Sequence, residues 1–258
     1  ASGVRSIWLR HDLANFKARL KALEAIAAAD GGILTDSLAM GETLAEAHPE
    51  LPFYPRAAKA RALARTITCE MHSGFNALRG ECPQMLTHGW ADYAPSDAGR
   101  ADVARLEMLW GMARDAATGD GPWLFGDYSL ADAFYAPAAG RIATYGIPVG
   151  PVAAAYVATT LADPAFRRWR AMGATMTYDP MPYREDLPMI DWPGPAPMAA
   201  QAVQDGTPEN DRCPYSDLPV THLAQISGRI FGFCNAFCRD KTVADAAAWP
   251  AFMAIYGR

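Results

Sequence analysis

Gly121–Gly146, GPWLFGDYSLADAFYAPAAGRIATYG, is the stretch on which the reading of the fold turns. It opens with the loop residues Gly121, Pro122, Gly126 and Asp127 and then spells a helix start. Ser129 stands at the N-cap and Asp132 three residues on, the spacing of a capping box. The serine hydroxyl accepts the backbone N–H of the third helical residue. The Asp132 carboxylate accepts the cap N–H and meets the positive end of the helix dipole. Behind the cap, Leu130, Ala133, Phe134, Pro137 and Ile142 make a mostly apolar helix, which predicts a central, buried position. By themselves these residues describe a well-capped core helix and no chemistry.

Working outward, 258 residues make one large domain or a medium domain with an appendage. A hydrophobic content of 51% with 20% charge is enough to bury a core, which excludes wholesale disorder. The formal net charge of −5 argues against nonspecific nucleic-acid binding. No apolar run approaches the ~20 residues that span a bilayer, and no secretory apolar region is visible. Five cysteines, an odd number without regular early spacing, fit a reducing compartment, cytoplasmic or organelle interior, better than a disulfide framework. The start at Ala1 rather than Met is compatible with a processed or incompletely represented chain.

Helical periodicity recurs on both sides of the central stretch. Trp8, Leu13, Phe16, Leu20 and Leu23 predict a helix over Leu9–Ala29, followed by a turn at Asp30-Gly31-Gly32 and a short strand at Ile33–Thr35. Ala57–Cys82 reads as one long helix with Ala64, Ile67, Met71, Phe75 and Leu78 on its apolar face. Pro95–Thr118 is another, with Val103, Leu106, Trp110 and Ala113 inward and Gly119-Asp120-Gly121 as its stop. Pro148–Leu161 and Asp163–Met176 follow; Asp163-Pro164 is a cap with proline at the first helical position. In the latter helix Phe166, Trp169 and Met172 face inward, and Arg167, Arg168 and Arg170 read as a solvated basic face. Seven prolines then punctuate Asp179–Asn210 and exclude a regular helix or a central strand. Its Tyr183, Leu187, Ile190 and Trp192 predict an extended linker lying against a surface.

WLFGDYSLADAFYAPAAGRIATYG closely resembles the capped core helix in the helical domain of cytosolic-type glutathione transferases. Glu70-Met71-His72-Ser73-Gly74-Phe75, followed by Leu78-Arg79, resembles the bacterial branch of that family. Asp36-Ser37-Leu38-Ala39-Met40 resembles the acidic-Ser-x-Ala-Ile segment that opens the last helix of the family's thioredoxin-like half. The resemblance runs from about Thr35 to Met176 and implies a glutathione-binding role for Asp36 and Ser37. It also implies that Met71, His72 and Phe75 line a pocket for a hydrophobic electrophile. In the family the Ser-x-x-Asp box supports folding and lies outside the active site. The residues leave the alternatives open: Asp36 or Ser37 as a plain helix cap, Met71 and Phe75 as core, His72 as a hydrogen-bonded histidine. No proline precedes Pro49 to serve as the family's cis-proline, and the region before Asp36 is too short for a full βαβ unit. Ser6 reads as an ordinary polar residue, so the thiol-activating donor is not identified. Relatives are commonly dimers through the thioredoxin-like half, which makes a homodimer possible.

The last segment has a different chemistry. Cys213-Pro214-Tyr215-Ser216, His222 and Cys234-Asn235-Ala236-Phe237-Cys238 place the cysteines at C-x20-C-x3-C. This resembles the TRASH-type metal fingers, a cysteine, a β-hairpin and C-x3-C at a helix start. Val220–Gln225 and Arg229–Phe233 are the expected strands, with Ser227-Gly228 as the turn. The i, i+4 spacing puts Cys234 and Cys238 on one helical face, and three thiolates suit Zn²⁺. Many relatives carry a second cysteine where Ser216 stands, so His222 is the candidate fourth ligand and Asp217 a weaker one. The alternative is a metal-free hairpin with buried cysteines. Cys69 and Cys82 read as helix residues, and Trp249, Phe252 and Met253 as closing a small core.

The expected fold is mainly α: a reduced thioredoxin-like portion over 1–54, a glutathione-transferase-like helical domain over 55–178, a linker over 179–211 and a cysteine finger over 212–258. Three functions remain open. The first is conjugation of glutathione to a hydrophobic electrophile. The second is a catalytically degenerate scaffold joined to other protein subunits and stabilised by zinc. The third is metal sensing or delivery through the finger.

Overall fold

The structure is a computed structural model and describes residues 34, 36–176 and 187–257. The expected helix over Leu9–Ala29 lies outside the described residues, as does the strand at Ile33–Thr35 apart from Leu34. The described residues are mainly α with two small antiparallel sheets. By contact, the described residues form two units: 34–161 with 187–193, and 162–176 with 194–257. No helix among the described residues is long and apolar enough to cross a membrane.

The first unit contains α1 (Ser37–Ala47), α2 (Ala58–Ser73), α3 (Asn76–Glu81), α4 (Asp97–Asp115), α5 (Leu130–Thr144) and α6 (Pro151–Ala162). Its centre is α5, buried without a break from Leu130 to Gly140. The capping box forms as the sequence predicts. Asp132 Oδ2 accepts from Ser129 N (2.8 Å) and Ser129 Oγ (2.9 Å), and Oδ1 accepts from Leu124 N (3.0 Å). One carboxylate therefore ties the preceding loop to the helix it starts. The loop is tight enough to need its glycines. A side chain on Gly121 would meet the Gly126 carbonyl oxygen at 2.2 Å, and Gly126 itself has φ of +92°.

Aromatic packing fills the space around α5. Trp110 of α4 meets Tyr135 and Tyr156 edge-on, with ring centroids 5.8 and 4.6 Å away. The Tyr135 hydroxyl donates to the Ile67 carbonyl of α2 (2.9 Å), satisfying both groups where water is excluded. Val103, Leu106, Trp110 and Ala113 are buried as their spacing predicts.

The single helix expected over Ala57–Cys82 is instead two. Gly74 caps α2, and Phe75 adopts the left-handed region (φ 57°) before α3 begins. Arg79 spans the break, its Nη1 donating to the carbonyls of His72 and Gly74. The turn buries Phe75 and lays its ring edge-on to Tyr135 at 6.4 Å. That contact favours the break over six further helical residues. The proline-rich stretch contributes β2 (Met189–Ile190), which pairs antiparallel with β1 (Gly89–Trp90).

The second unit contains α7 (Pro164–Gly173), β3 (Ala200–Val203), β4 (His222–Ile226), β5 (Arg229–Phe233), α8 (Ala236–Ala244), a 3-10 turn at Ala246–Ala248 and α9 (Pro250–Tyr256). The β4–β5 hairpin turns at Ser227 (φ 49°) and Gly228 (φ 86°), both left-handed, a geometry that matches strand twist. β3 adds a third antiparallel strand beside β4 that the linker reading did not anticipate. Phe231, Phe233 and Phe252 form an aromatic core, with Phe231 and Phe252 centroids 5.0 Å apart. Trp249 is buried beside it and Met253 half-buried. The solvated basic face expected on α7 is not one. Arg167 makes a two-point pair with buried Asp245 (2.8 and 2.6 Å), Arg168 donates to the Ala248 carbonyl and Arg170 is buried.

Candidate functional site

The three finger cysteines converge. Cys213 opens a tight turn, in which its N–H donates to Leu218 O and its carbonyl accepts from Asp217 N. Asp217 takes the left-handed conformation that closes the turn. Cys234 lies at the bend between β5 and α8, so it is not on the helical face that the i, i+4 spacing suggested. Thr221 Oγ1 holds the Cys234 carbonyl at 2.8 Å. Asn235 caps α8 by accepting from Cys238 N (2.8 Å), and its Nδ2 donates to Cys234 Sγ (3.3 Å).

The sulfurs of Cys213, Cys234 and Cys238 all lie within 4.8 Å of one another, and Cys234 and Cys238 are 3.9 Å apart. Zn–S bonds of about 2.3 Å at tetrahedral angles put sulfurs about 3.8 Å apart, so the donor set and spacing fit zinc. Cys213 and Cys238 are buried and Cys234 half-exposed, giving one accessible side. Among the described residues, no fourth His, Cys, Asp or Glu joins the group. His222 lies on β4 with Nδ1 2.9 Å from Thr221 Oγ1, and Asp217 points no ligand atom into the cluster. Ser216 is the neutral neighbour, its Oγ donating to Cys234 Sγ at 3.2 Å.

The electrostatics split the thiols. Burial raises Cys213, but the backbone N–H groups of Tyr215 and Cys234 and the Ser216 hydroxyl outweigh it and hold the thiol near 7. Burial pushes Cys238 up to about 12 against the pull of Lys241, because the other two sulfurs also oppose a further negative charge. A divalent cation placed there would remove that repulsion and let all three ionise, so binding would release protons.

A second group of predicted residues lies at the start of α1. Asp36 is its N-cap, Oδ1 accepting from Leu38 N (2.9 Å) and Ala39 N (3.0 Å). Asp36 Oδ2 stands 2.8 Å from His72 Nε2. The Ala39 and Leu38 donors, with His72, hold the Asp36 carboxyl below the usual range against a smaller opposing effect of burial. Ser37 is the first helical residue. The structure thus brings Asp36 and His72 together across 36 positions of sequence. Met71 and Phe75 are buried side chains of the first unit's core, while His72 sets its ring edge-on to Phe134 at 6.0 Å. Lys241 beside the cysteines escaped the sequence reading, since it lies in no ligand pattern, and Ser216 was read there only as standing in the place of a second cysteine, not as a donor to Cys234 Sγ. Asn235 was legible in principle from its cap spacing to Cys238.

No family model matches the chain, and no curated protein is similar to it at a significant level. Among solved structures, it is similar to a glutathione transferase homologue from Burkholderia gl BGR1, solved with bound glutathione. That likeness has 24% identity over 54% of this chain and 67% of that chain, with a TM-score of 0.39. It is also similar to a glutathione S-transferase from Rhodospirillum rubrum F11, at 20% identity over 72% of this chain and 93% of that chain, with a TM-score of 0.45.

Proposed function

We propose that this chain is a glutathione-transferase-like scaffold carrying a three-cysteine zinc centre that exchanges its fourth ligand, and that its role is metal sensing or delivery. The observation that carries this reading is the convergence of Cys213, Cys234 and Cys238 with, among the described residues, no fourth His, Cys, Asp or Glu in the group. Structural zinc sites are closed by four protein ligands, whereas three-ligand sites keep a position for an incoming group. Bound there, zinc would supply the charge that neutralises the thiolates. Cys213 offers the readiest thiolate, Asn235 and Ser216 orient Cys234 through its sulfur, and the Asn235 cap fixes the first turn that presents Cys238.

The purified chain is expected to hold about one zinc ion and to yield it to a chromophoric chelator within minutes. Cys234→Ser is expected to lower the zinc content severalfold, measured by elemental mass spectrometry. Equal zinc in mutant and wild type removes the centre as drawn. Zinc that resists the chelator for hours removes the exchange and leaves a structural ion.

A second reading is conjugation of glutathione to a hydrophobic small molecule. It is favoured by Asp36 and Ser37 at the start of the eleven-residue helix α1, with Asp36 held by His72. The Ser37 hydroxyl at the positive end of the helix dipole suits a γ-glutamyl carboxylate, and the Asp36 carboxylate suits the ammonium. Calorimetric titration with reduced glutathione is expected to show millimolar or tighter binding under this reading. Asp36→Asn should weaken it severalfold while keeping the helix cap. Absence of heat and of any thermal shift at millimolar glutathione sets conjugation aside and directs attention to partner subunits.

A further inference from the structure

We propose that Lys241 is the counter-charge of the three-cysteine centre, a positioning residue that sets how tightly the centre holds a divalent ion. The inference rests on the zinc reading and deepens it. Lys241 is only 8% exposed, unusual for an ammonium without a carboxylate partner. Its Nζ stands 3.6 Å from the Tyr215 ring centroid, 4.2 Å from Trp249 and 5.5 Å from Phe237, so three aromatic faces surround it.

The neighbouring acids are committed elsewhere. Asp240 pairs with Arg239 at 2.7 Å and Asp245 with Arg167 at 2.6 Å. Among the described residues, no carboxylate forms an ion pair with Lys241. Ring faces attract a cation but do not neutralise it, and a buried ion needs an opposite charge. Burial lowers the Lys241 pKa, and the groups that oppose this loss of charge are the cysteines, Cys238 first and then Cys213 and Cys234, which supply the opposite charge as thiolates.

The placement is economical in sequence. Lys241 follows Cys238 by three residues on α8, one helical turn, and therefore shares its side of the helix. Two walls of the cage flank the ligands, Tyr215 two residues after Cys213 and Phe237 one before Cys238. The third wall, Trp249, donates from Nε1 to the Lys241 carbonyl at 3.0 Å and so fixes the backbone beneath the charge. A divalent ion with three thiolates carries one net negative charge, and one ammonium brings the group to neutrality. A monovalent ion would leave it negative. The lysine thus tunes a buried tris-thiolate site to a divalent ion.

The test uses the full chain and zinc alone, with affinity read by competition against a chromophoric chelator. Lys241→Met, which keeps length and apolar contact, is expected to weaken zinc at least tenfold, and Lys241→Arg to recover most of that loss. The far-ultraviolet spectrum of each metal-free variant should match wild type. Lys241→Met binding within twofold of wild type overturns the counter-charge role. Equal losses in Met and Arg overturn it in favour of shape. A wild-type chain that binds no zinc sinks the metal reading beneath it, a distinguishable outcome. Should the Met variant fail to fold, the wild type still decides. The chain has four lysines, so a ¹³C-lysine spectrum resolves their ε-carbons, and Lys241→Arg identifies the one concerned. Zinc is expected to shift that resonance most; an unmoved signal overturns the proposal.

Discussion

Removing zinc from the intact chain by chelation is expected to lower the thermal midpoint of the second unit by roughly 20 °C. Hydrogen exchange over residues 213–245 should quicken in parallel. An ion held at a thousand times its dissociation constant stabilises the folded state by about 4 kcal/mol. Each kcal/mol moves the midpoint of a domain of 60–100 residues by about 4–8 °C. The unit is exposed to this loss because its core is small, centred on Phe231, Phe233 and Phe252, and modules of that size fold marginally without a staple. Without the cation, Cys238 retains its proton and the Cys213 turn is held by its own hydrogen bonds, backbone and side-chain. Exchange that is unchanged after verified zinc loss would mean that the hydrophobic core alone suffices. Buried Asp245, paired with Arg167, would then be the first alternative staple to remove.

Asp132→Ala should cost about 3 kcal/mol and lower the first unit's midpoint by roughly 10 °C. Its carboxylate satisfies Leu124 N, Ser129 N and Ser129 Oγ where water does not reach, and alanine leaves all three without an acceptor. Ser129→Ala removes one of these donors together with itself and should cost only about 1 kcal/mol. The pH dependence carries a sign. Burial, opposed by the Leu124 and Ser129 donors, pushes the Asp132 carboxyl up to about 6, from 3.8 for a solvated group. The folded state therefore binds this proton more tightly than the unfolded chain. Its stabilisation is fully present below about pH 4 and is lost as the pH rises through about 6. The stability of wild type minus that of Asp132→Asn should accordingly fall between pH 4 and 6 in denaturant titrations. A flat difference would mean that the donors outweigh burial and keep the carboxylate ionised throughout.

The contrast between the two units shows which features a sequence spells. The α5 cap, the Asp163-Pro164 start and the Ser227-Gly228 turn were all legible, because each is decided by atoms within four residues of one another. The break at Gly74-Phe75 was not. Helix periodicity continues through it, and only the space beside Tyr135 makes the left-handed turn favourable. The arginines of α7 misled for the same reason. Asp245, the acceptor of Arg167, lies 78 residues away, and a charge whose partner is distant looks solvated in a linear reading.

The candidate centre divides along the same line. Spacing, residue type and the resemblance they carry pointed to one cysteine before a hairpin and two at the start of the helix after it, with hairpin register following from its turn. Tertiary structure decided that Cys234 sits before that helix, that His222 turns to Thr221, and that Ser216 stands against the sulfur. It also decided that a buried ammonium, caged by Tyr215, Phe237 and Trp249, closes the charge balance. The sequence by itself determined the capped helices, the hairpin and the thiol donor set, each the product of short-range sterics and hydrogen bonding. Only the tertiary structure decided which charges are paired and which groups stand beside the cysteines. Electrostatics acts through space between groups that the chain brings together only when its core closes.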